Sequence, residues 1–341
     1  MSKNIIYLVN SLDFFISHRI KIADELLNKN YKISILAEYD KEYLNLKNFN
    51  LFKINFRKSK FNIFYNIKNF FIFLNILRSS DKNSIIHAIT IKPIVYLIFS
   101  SYLIKQKNFV ISFSGLGYFF INKNLLTFIF KNIFFWVFKI FLISKKPVII
   151  FQNIDDLNYF QKKCNNLINN YKIIKGSGIN LSEINFHHQV INKSINFTLI
   201  SRLLIDKGIL EFINASNSII SDYDNVTFTL IGDIDKNNPK SVDLNIINNW
   251  KNKTNKIYLG YKKNIIDYII KSNVIILPSY REGMPKILLE ASAVGRPIIT
   301  TNVPGCKECV INNLNGYLIR SKNTKDLTQS IKKFLDDKSL L

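Results

Sequence analysis

The chain has 341 residues, which is long for one domain and suits two domains of about 150–170 residues each. Hydrophobic residues make up 48% and charged residues 21%, a composition that excludes a largely disordered chain. With 47 Lys and Arg against 24 Asp and Glu, the formal net charge is +23, which points to nucleic acid, an anionic lipid surface or phosphorylated ligands as partners. The alternative is an AT-rich coding sequence, which supplies Lys, Asn, Ile, Phe and Tyr without selection for charge.

The cysteines and the first residues indicate a reducing compartment. Cys164, Cys306 and Cys309 do not make a disulfide framework. Residues 5–9 are apolar, but no long signal core or small-residue cleavage site follows them, so we expect a protein that is not secreted. Cys306 and Cys309 have the spacing of half a zinc site, and no second nearby pair completes four ligands, so we expect no metal.

Short apolar runs alternate with helix-length segments, such as Ser17–Lys29 and Lys92–Lys105, along the whole chain. The strands predicted before Gly176-Ser-Gly178 are Ile5–Val9, Ile33–Leu36, Ser84–His87, Phe109–Ser112, Val148–Phe151 and Lys172–Ile174. Those predicted after it are Asn196–Ile200, Val226–Ile231, Lys256–Leu259, Val274–Leu277 and Pro297–Thr300. This alternation predicts an α/β fold of two Rossmann-like domains with doubly wound parallel sheets, residues 1–176 and 177–341, which face a ligand-binding cleft.

The basic excess lies mainly in the first half, where residues 1–170 carry a net charge of +15 and the remainder +8. Two segments there, residues 61–78 and 125–144, are unusually apolar, with Lys58, Lys60, Lys68, Arg78, Lys131, Lys139, Lys145 and Lys146 in or beside them. The second is long enough to span a bilayer, but each lysine inside it costs about 2.5–3.5 kcal/mol at a helix centre. Lys131 and Lys139 lie about 80° apart on a helix, which favours an interfacial helix with both lysines toward the head groups. A buried core helix is the alternative.

The most informative string runs from Pro278 to Pro297 and follows a predicted strand. Gly283 lets the backbone approach a ligand, and Pro285 suits the start of a helix whose free amides favour an anion. Glu282 and Glu290 are placed to accept hydrogen bonds from sugar or ribose hydroxyls. A simple dipole-complementing role would explain Glu282 but not the whole string.

A second string, Ser201-Arg202-Leu-Leu-Ile-Asp-Lys207-Gly208, follows the first strand of the C-terminal half. Two cations at a strand end suit an anionic ligand. Solvated surface charge is the alternative for both residues.

Together these strings resemble the family 4 glycosyltransferases, retaining enzymes of the GT-B fold with a Glu-x7-Glu signature. The resemblance implies that Arg202 and Lys207 neutralise the donor diphosphate and that Glu290 binds the donor ribose. It also implies that Glu282 and the backbone of Gly283, Met284 and Pro285 bind the donor sugar and its phosphate, with Gly232 and Gly260 near the nucleotide. Protein cations and helix dipoles replace a divalent ion in such enzymes, so no cofactor and no metal are expected.

The N-terminal half resembles one branch of this family, in residues 10–19, 87–93, 114–118 and 151–153. That branch comprises bacterial transferases, N-acetylgalactosaminyltransferases among them, that extend glycans on undecaprenyl diphosphate. The resemblance makes His18, Arg19, His87 and Lys92 candidates for the acceptor side, with capping, packing or structural roles as their alternatives. The resemblance to the family covers nearly the whole chain, and it restricts the identity of the transferred sugar only loosely.

Three departures from the family pattern limit what is carried over. Asn10-Ser11-Leu12 replaces a Gly-Gly loop, and no His is present at residues 112–114, so no catalytic base is assigned. A retaining front-face displacement needs none, because the departing phosphate can accept the acceptor proton. Family members usually continue some tens of residues further, so the resemblance implies a segment beyond Leu341.

The expected protein is a cytoplasmic transferase, peripherally bound to the inner face of the cytoplasmic membrane through anionic lipid. It would move N-acetylgalactosamine or a related hexose from a UDP-sugar to an undecaprenyl-diphosphate-linked saccharide, with no nucleic acid as partner. One alternative is a family member that uses GDP-mannose or a soluble acceptor. Another is a non-catalytic basic protein that binds anionic lipid or nucleic acid.

Overall fold

The computed structural model describes residues 3–40, 46–55, 63–116, 120, 124–190, 193–235, 238, 240–251 and 255–341. The chain separates into two compact units, Met1–Ser177 and Gly178–Leu341. Several residues singled out from the sequence, namely Lys58, Lys60, Phe61, Gly117 and Tyr118, lie outside the described residues.

The first unit is built on a seven-stranded parallel sheet with the order β3-β2-β1-β4-β5-β6-β7. Its strands are β1 (Asn4–Leu8), β2 (Lys32–Ala37), β3 (Asn50–Lys53), β4 (Ile85–Ile89), β5 (Asn108–Phe113), β6 (Val148–Phe151) and β7 (Tyr171–Ile173). Its described helices are α1 (Leu12–His18), α2 (Ile20–Asn28), α3 (Ile63–Ser79), α4 (Ile91–Ser100), α5 (Leu125–Lys145) and α6 (Ile154–Lys163). The order reverses beside β1, which pairs with β2 on one side and β4 on the other.

Helices cover both faces of this sheet because successive strand residues point to opposite sides. Ile6 and Leu8 enter a core that contains the aromatic rings of α5 and α6, whereas Ile5 and Tyr7 enter a second core under α1 and α2. The first core is largely aromatic: the rings of Phe113 on β5 and Phe160 on α6, for example, lie 4.3 Å apart.

The second unit has a six-stranded parallel sheet with the order β10-β9-β8-β11-β12-β13. Its strands are β8 (Ile195–Ile200), β9 (Val226–Ile231), β10 (Lys256–Tyr258), β11 (Val274–Leu277), β12 (Ile298–Thr301) and β13 (Gly316–Ile319). Its described helices are α7 (Ile209–Ile220), α8 (Leu244–Lys251), α9 (Ile266–Ile270), α10 (Lys286–Val294) and α11 (Thr324–Asp336). The strand order again reverses at the first strand, β8, which places the loops after β8 and β11 side by side.

The predicted fold class is confirmed, because both units are doubly wound parallel α/β domains. Every strand predicted from the sequence is present, with ends shifted by at most two residues, and β3 and β13 are additional. The predicted helix Ser17–Lys29 is wrong in one respect: the chain breaks at Arg19, whose φ of −136° ends α1 before α2 begins.

Candidate active site

The second unit brings Lys207 and Glu282 together in an ion pair between Nζ and Oε1. Both side chains are largely buried, with 17% and 14% of their surfaces exposed. Lys207 ends a short 3-10 turn after β8, and Glu282 lies in the loop after β11. Because β8 and β11 are adjacent parallel strands, the pair joins the carboxyl ends of two neighbouring strands, where ligands of open α/β sheets bind.

The two loops that carry this pair touch through their backbones. Gly208 has a φ of +74°, and a Cβ atom there would lie 2.3 Å from the carbonyl oxygen of Pro278. The Tyr280 amide donates to the carbonyl of Asp206 at 2.9 Å, and the Tyr280 hydroxyl donates to Glu211 Oε1 at 2.7 Å. Burial and this bond to Glu211 raise the pKa of Tyr280, so the phenol remains protonated and keeps donating. Only glycine permits the approach that places Lys207 beside Glu282.

Glu282 is also held in position by residues that were not predicted from the sequence. Ser279 is fully buried, and its hydroxyl donates to Glu282 Oε1 at 2.6 Å. The Glu282 amide donates to the carbonyl of Pro304 at 3.1 Å, and a Cβ atom on Gly305 would lie 2.5 Å from the Glu282 carbonyl oxygen. Ser279 could have been identified from the sequence, because Pro278-Ser279 is the start of the string that runs to Pro297.

Glu290 presents a carboxylate oxygen that is ready to accept a hydrogen bond. It lies in the second turn of α10, and its Oε1 pairs with Lys286 Nζ at 3.2 Å. Its Oε2 is buried and finds no hydrogen-bond partner in the part of the chain that the structure describes. Burial raises the pKa of Glu290, and the Lys286 charge opposes that shift. A buried oxygen without a donor costs free energy, which a ligand hydroxyl would recover.

Two predicted glycines meet at the carboxyl ends of β9 and β10. The Gly232 amide donates to the Gly260 carbonyl at 2.9 Å, and a Cβ atom on Gly232 would lie 1.7 Å from the carbonyl oxygen of Ser201. A Cβ atom on Gly260, with a φ of +66°, would meet no atom within 4 Å. Gly232 is therefore needed for close packing of strand ends, whereas Gly260 faces open space.

Arg202 stands apart from the Lys207–Glu282 pair. Its side chain is exposed, and Nη1 lies 3.7 Å from Asp235 Oδ2. Gly283, Met284 and Pro285 complete the loop after Glu282, where Pro285 is the N-cap of α10 and the helix begins one residue later than predicted. The structure thus joins Lys207 to Glu282 directly and leaves the Arg202 side chain exposed beside Asp235.

The predicted acceptor-side residues lie in the first unit. His18 ends α1, where its Nδ1 is 2.6 Å from Ser17 Oγ and its ring stacks on Phe14. His87 Nε2 and Ser112 Oγ share a hydrogen bond of 2.7 Å. Burial, with the Arg19 charge acting in the same direction, lowers the pKa of His87 to about 3, so the imidazole is neutral at physiological pH.

The other two candidates in this unit are a buried arginine and a lysine near the same sheet edge. Arg19 is buried between α1 and α2. Lys92 lies in the first turn of α4, which follows β4 and therefore starts at its carboxyl end. Arg19 and Lys92 thus place two cations in the half of the chain that carries most of the basic excess.

Helix α5 exposes a wide apolar surface. It is long and apolar enough to cross a membrane by length and composition, and only 28% of its most apolar stretch is buried. Its exposed large side chains, with those of the end of α4 and the turn after it, make up what we call the outer face: Phe99, Tyr102, Leu103, Leu125, Leu126, Phe128, Ile129, Phe130, Ile133, Trp136, Ile140 and Ile143.

The two lysines inside α5 make hydrogen bonds within the first unit. Lys131 Nζ donates to the carbonyl of Phe120 at 2.8 Å, and Lys139 Nζ donates to Asn165 Oδ1 at 3.2 Å. Both lysines therefore bind other parts of the protein, and their orientation toward head groups stays a prediction. Phe138 and Phe141 on the opposite side are fully buried, so the helix is a core helix on one side and an exposed apolar helix on the other.

The cysteines are buried thiols. Burial raises the pKa of Cys164, Cys306 and Cys309 to about 12 in each case. Within the described ranges, no group of three or more His, Cys, Asp or Glu side chains is arranged to bind a metal ion.

Comparison with known families decides the class of this site. A family model described as "Glycosyl transferases group 1" matches residues 182–341, and one described as "Glycosyl transferase 4-like" matches residues 4–153. The chain is a family 4 glycosyltransferase. The resemblance drawn from its motifs and the predicted enzyme class are confirmed.

Individual relatives agree with this assignment. An N,N'-diacetylbacillosaminyl-diphospho-undecaprenol alpha-1,3-N-acetylgalactosaminyltransferase of Campylobacter jejuni is 26% identical over 94% of this chain and 86% of its own length. A UDP-Gal:alpha-D-GlcNAc-diphosphoundecaprenol alpha-1,3-galactosyltransferase of Escherichia coli is 31% identical over 43% of this chain and 38% of its own length. The crystal structure of a glycosyltransferase from Rickettsia africae superposes with a TM-score of 0.74 at 17% identity, over 99% of this chain and 90% of that one.

Proposed function

We propose that this glycosyltransferase moves N-acetylgalactosamine or a related hexose from a UDP-sugar to a saccharide linked to undecaprenyl diphosphate, with retention. The observation that carries the donor side is the buried Lys207–Glu282 pair at the carboxyl ends of β8 and β11. The acceptor class is supported by the two relatives above, whose names specify undecaprenol-diphosphate acceptors.

In this proposal the donor is bound by residues of the second unit. Glu290 Oε2 accepts a hydrogen bond from a ribose hydroxyl, which gives the buried oxygen its missing donor. Lys207 and Arg202 neutralise the diphosphate, and Glu282 accepts hydrogen bonds from the sugar while Ser279 and Lys207 hold its carboxylate. The amide N–H groups of Gly283 and Met284, just before α10, donate to the sugar and its phosphate, and Pro285, which has no N–H, starts the helix behind them.

The reaction breaks the bond between the anomeric carbon and the diphosphate oxygen on the same face at which the acceptor attacks. A hydroxyl oxygen of the acceptor saccharide forms the new bond to the anomeric carbon, and its proton passes to the departing phosphate oxygen. Lys207 lies at the diphosphate, so its charge stabilises the negative charge that grows as UDP leaves. No protein side chain is assigned as a base, and no metal or other cofactor takes part in the proposed step.

We further propose that the protein sits on the inner surface of the cytoplasmic membrane with the outer face of α5 in the bilayer interface. Exposed apolar patches of this extent mark interaction sites. Trp136 is 65% exposed on this face, and Lys145 and Tyr102 form a cation–π contact of 4.7 Å at the end of α5, where head groups would lie. In this proposal the protein binds the membrane mainly by inserting the apolar side chains of the outer face, with basic residues at the edge of that face. The sequence had led us to expect binding mainly through the attraction of lysines to anionic head groups.

The reaction is tested with UDP-N-acetylgalactosamine and an N-acetylated monosaccharide on undecaprenyl diphosphate. Mass spectrometry is expected to find an acceptor that has gained one N-acetylhexosamine, and NMR is expected to find an α linkage. Lys207→Met is the control and should give no product. Transfer from GDP-mannose alone, or to a soluble saccharide alone, would replace this proposal with the corresponding alternative.

A further inference from the structure

Arg19 is a buried cation without a counter-charge. Its residue surface is 8% exposed, and it lies at the break between α1 and α2. Its guanidinium makes one hydrogen bond, from Nη1 to the His18 carbonyl at 2.9 Å, and no carboxylate pairs with it among the residues that the structure describes. An unpaired buried charge destabilises a fold, so its presence calls for a partner outside this set.

Arg296 shows how the same protein treats a structural arginine. It is 3% exposed and also lacks a carboxylate within the described residues. Its guanidinium donates to four backbone carbonyls, of His187 at 2.8 Å, Ile270 at 2.9 Å, Gly295 at 3.3 Å and Val294 at 3.5 Å. Both terminal nitrogens of Arg296 are therefore engaged, while its Nε has no partner among the described residues, and Arg19 uses Nη1 alone.

The neighbours of Arg19 are neutral groups near the carboxyl ends of two adjacent strands. The rings of Tyr7 on β1 and His87 on β4 lie 5.2 Å apart, in register across the paired strands. The Arg19 charge acts on both, since it lowers the pKa of His87 and opposes the rise that burial gives Tyr7. No carboxylate is among the causes of the pKa shifts of Tyr7, Arg19 and His87.

The same sheet edge carries polar atoms that also lack partners. Asn10 Oδ1 after β1, Thr90 Oγ1 after β4 and Ser114 Oγ after β5 are buried and make no hydrogen bond within the described ranges. The three strands are neighbours in the sheet, so these oxygens line one edge. Hydroxyl and amide groups of this kind hydrogen-bond a polar ligand while a cation fixes its charged part.

We propose that Arg19 binds a diphosphate group at the carboxyl edge of β1 and β4, and that this group belongs to the lipid-linked acceptor. The planar fork of a guanidinium matches two phosphate oxygens at once, which a lysine does not. The acceptor assignment rests on the proposed function, because the donor also carries a diphosphate. The binding of a diphosphate by itself does not depend on that function.

The first experiment compares Arg19→Met with Arg296→Met by thermal unfolding of the full chain. Removing an unpaired buried charge should leave the melting temperature of Arg19→Met unchanged or higher. Arg296→Met leaves four backbone carbonyls without their hydrogen-bond donor, so its melting temperature should be several degrees lower. Because inorganic pyrophosphate also fits the donor site at Lys207 and Arg202, its effect is measured in the Lys207→Met background. It should stabilise Lys207→Met but not the double variant Arg19→Met with Lys207→Met, and UDP should stabilise Arg19→Met as it does the wild type. A lower melting temperature for Arg19→Met, or equal stabilisation of Lys207→Met and the double variant by pyrophosphate, would overturn the proposal.

The second experiment identifies the source of the diphosphate. Arg19→Met should raise the KM for the diphosphate-linked acceptor about 30-fold and leave the donor KM within about twofold. Arg19→Lys, which keeps the charge but not the fork, should fall between the two. The same saccharide on an uncharged alkyl chain should be used equally by wild type and variant. A rise in the donor KM alone would overturn the acceptor assignment. A failure of transfer with every donor would count against the proposed function, and the pyrophosphate result would still show whether Arg19 binds a diphosphate.

Discussion

Replacing Lys207 with methionine should damage stability and catalysis for two separable reasons. The variant leaves the Glu282 carboxylate 14% exposed, with the Ser279 hydroxyl at 2.6 Å and without its cation. Truncating one member of a buried, hydrogen-bonded charge pair costs about 2–5 kcal/mol. Because the pair keeps some contact with water, we expect the lower part of that range, about 2–3 kcal/mol. For a unit of this size each kcal/mol lowers the melting temperature by about 2–4 °C, so a fall of about 4–12 °C is expected.

The double variant Lys207→Met with Glu282→Gln separates the two effects. It leaves no unpaired buried charge, so its melting temperature should return to within a few degrees of that of the wild type. Transfer should remain at least about 100-fold slower, because the cation that stabilises the leaving diphosphate is still missing. Thermal unfolding measures the first quantity, and acceptor-dependent UDP release measures the second. A single variant as stable as the wild type, or a double variant that regains the wild-type rate, would refute this reasoning.

Three further predictions concern individual residues. Glu290→Gln should raise the donor KM about tenfold. Burial raises the pKa of Glu290 above its usual 4.5, so above pH 4.5 the folded wild type binds more protons than the unfolded chain. The free energy of unfolding of the wild type, relative to that of the variant, should therefore fall as the pH rises through the range between the two pKa values. Gly208→Ala should reduce both the melting temperature and transfer, since its Cβ atom would meet Pro278 at 2.3 Å, whereas Gly260→Ala, with a similar φ and open space, should cost only about 1–2 kcal/mol of strain; equal effects in the two variants would contradict this. Trp136→Glu should reduce co-sedimentation with anionic vesicles about tenfold or more, and Leu314→Glu, at an equally exposed apolar site of the second unit, should not.

The fold was predictable because its strands are short apolar runs with clear ends. Val274–Leu277, for example, is buried at every position, as a central parallel strand should be. β3 escaped prediction because Asn50–Lys53 is an edge strand with mostly exposed side chains, so it has no apolar run. The break at Arg19 escaped because the apolar spacing continues across it from α1 into α2.

The candidate site was predictable in its residue types and less so in its contacts. Lys207 and Glu282 are 75 residues apart, and their pairing depends on the strand order and on the approach of Gly208 to Pro278, which no local pattern encodes. Helix α5 is apolar around most of its circumference, so its periodicity did not indicate which side packs on the sheet. The spacing of Lys131 and Lys139 correctly put them on one side, and only the tertiary contacts identified that side as the one bound to protein.

The most direct test of the account is nucleotide release from a panel of UDP- and GDP-sugars, with and without undecaprenyl-diphosphate-linked mono- and disaccharides. The account predicts that one UDP-sugar releases UDP only when a diphosphate-linked acceptor is present. That result would identify the donor and the reaction class together. Release that is independent of the acceptor, or that occurs only from GDP-sugars, in protein shown to be folded, would contradict it.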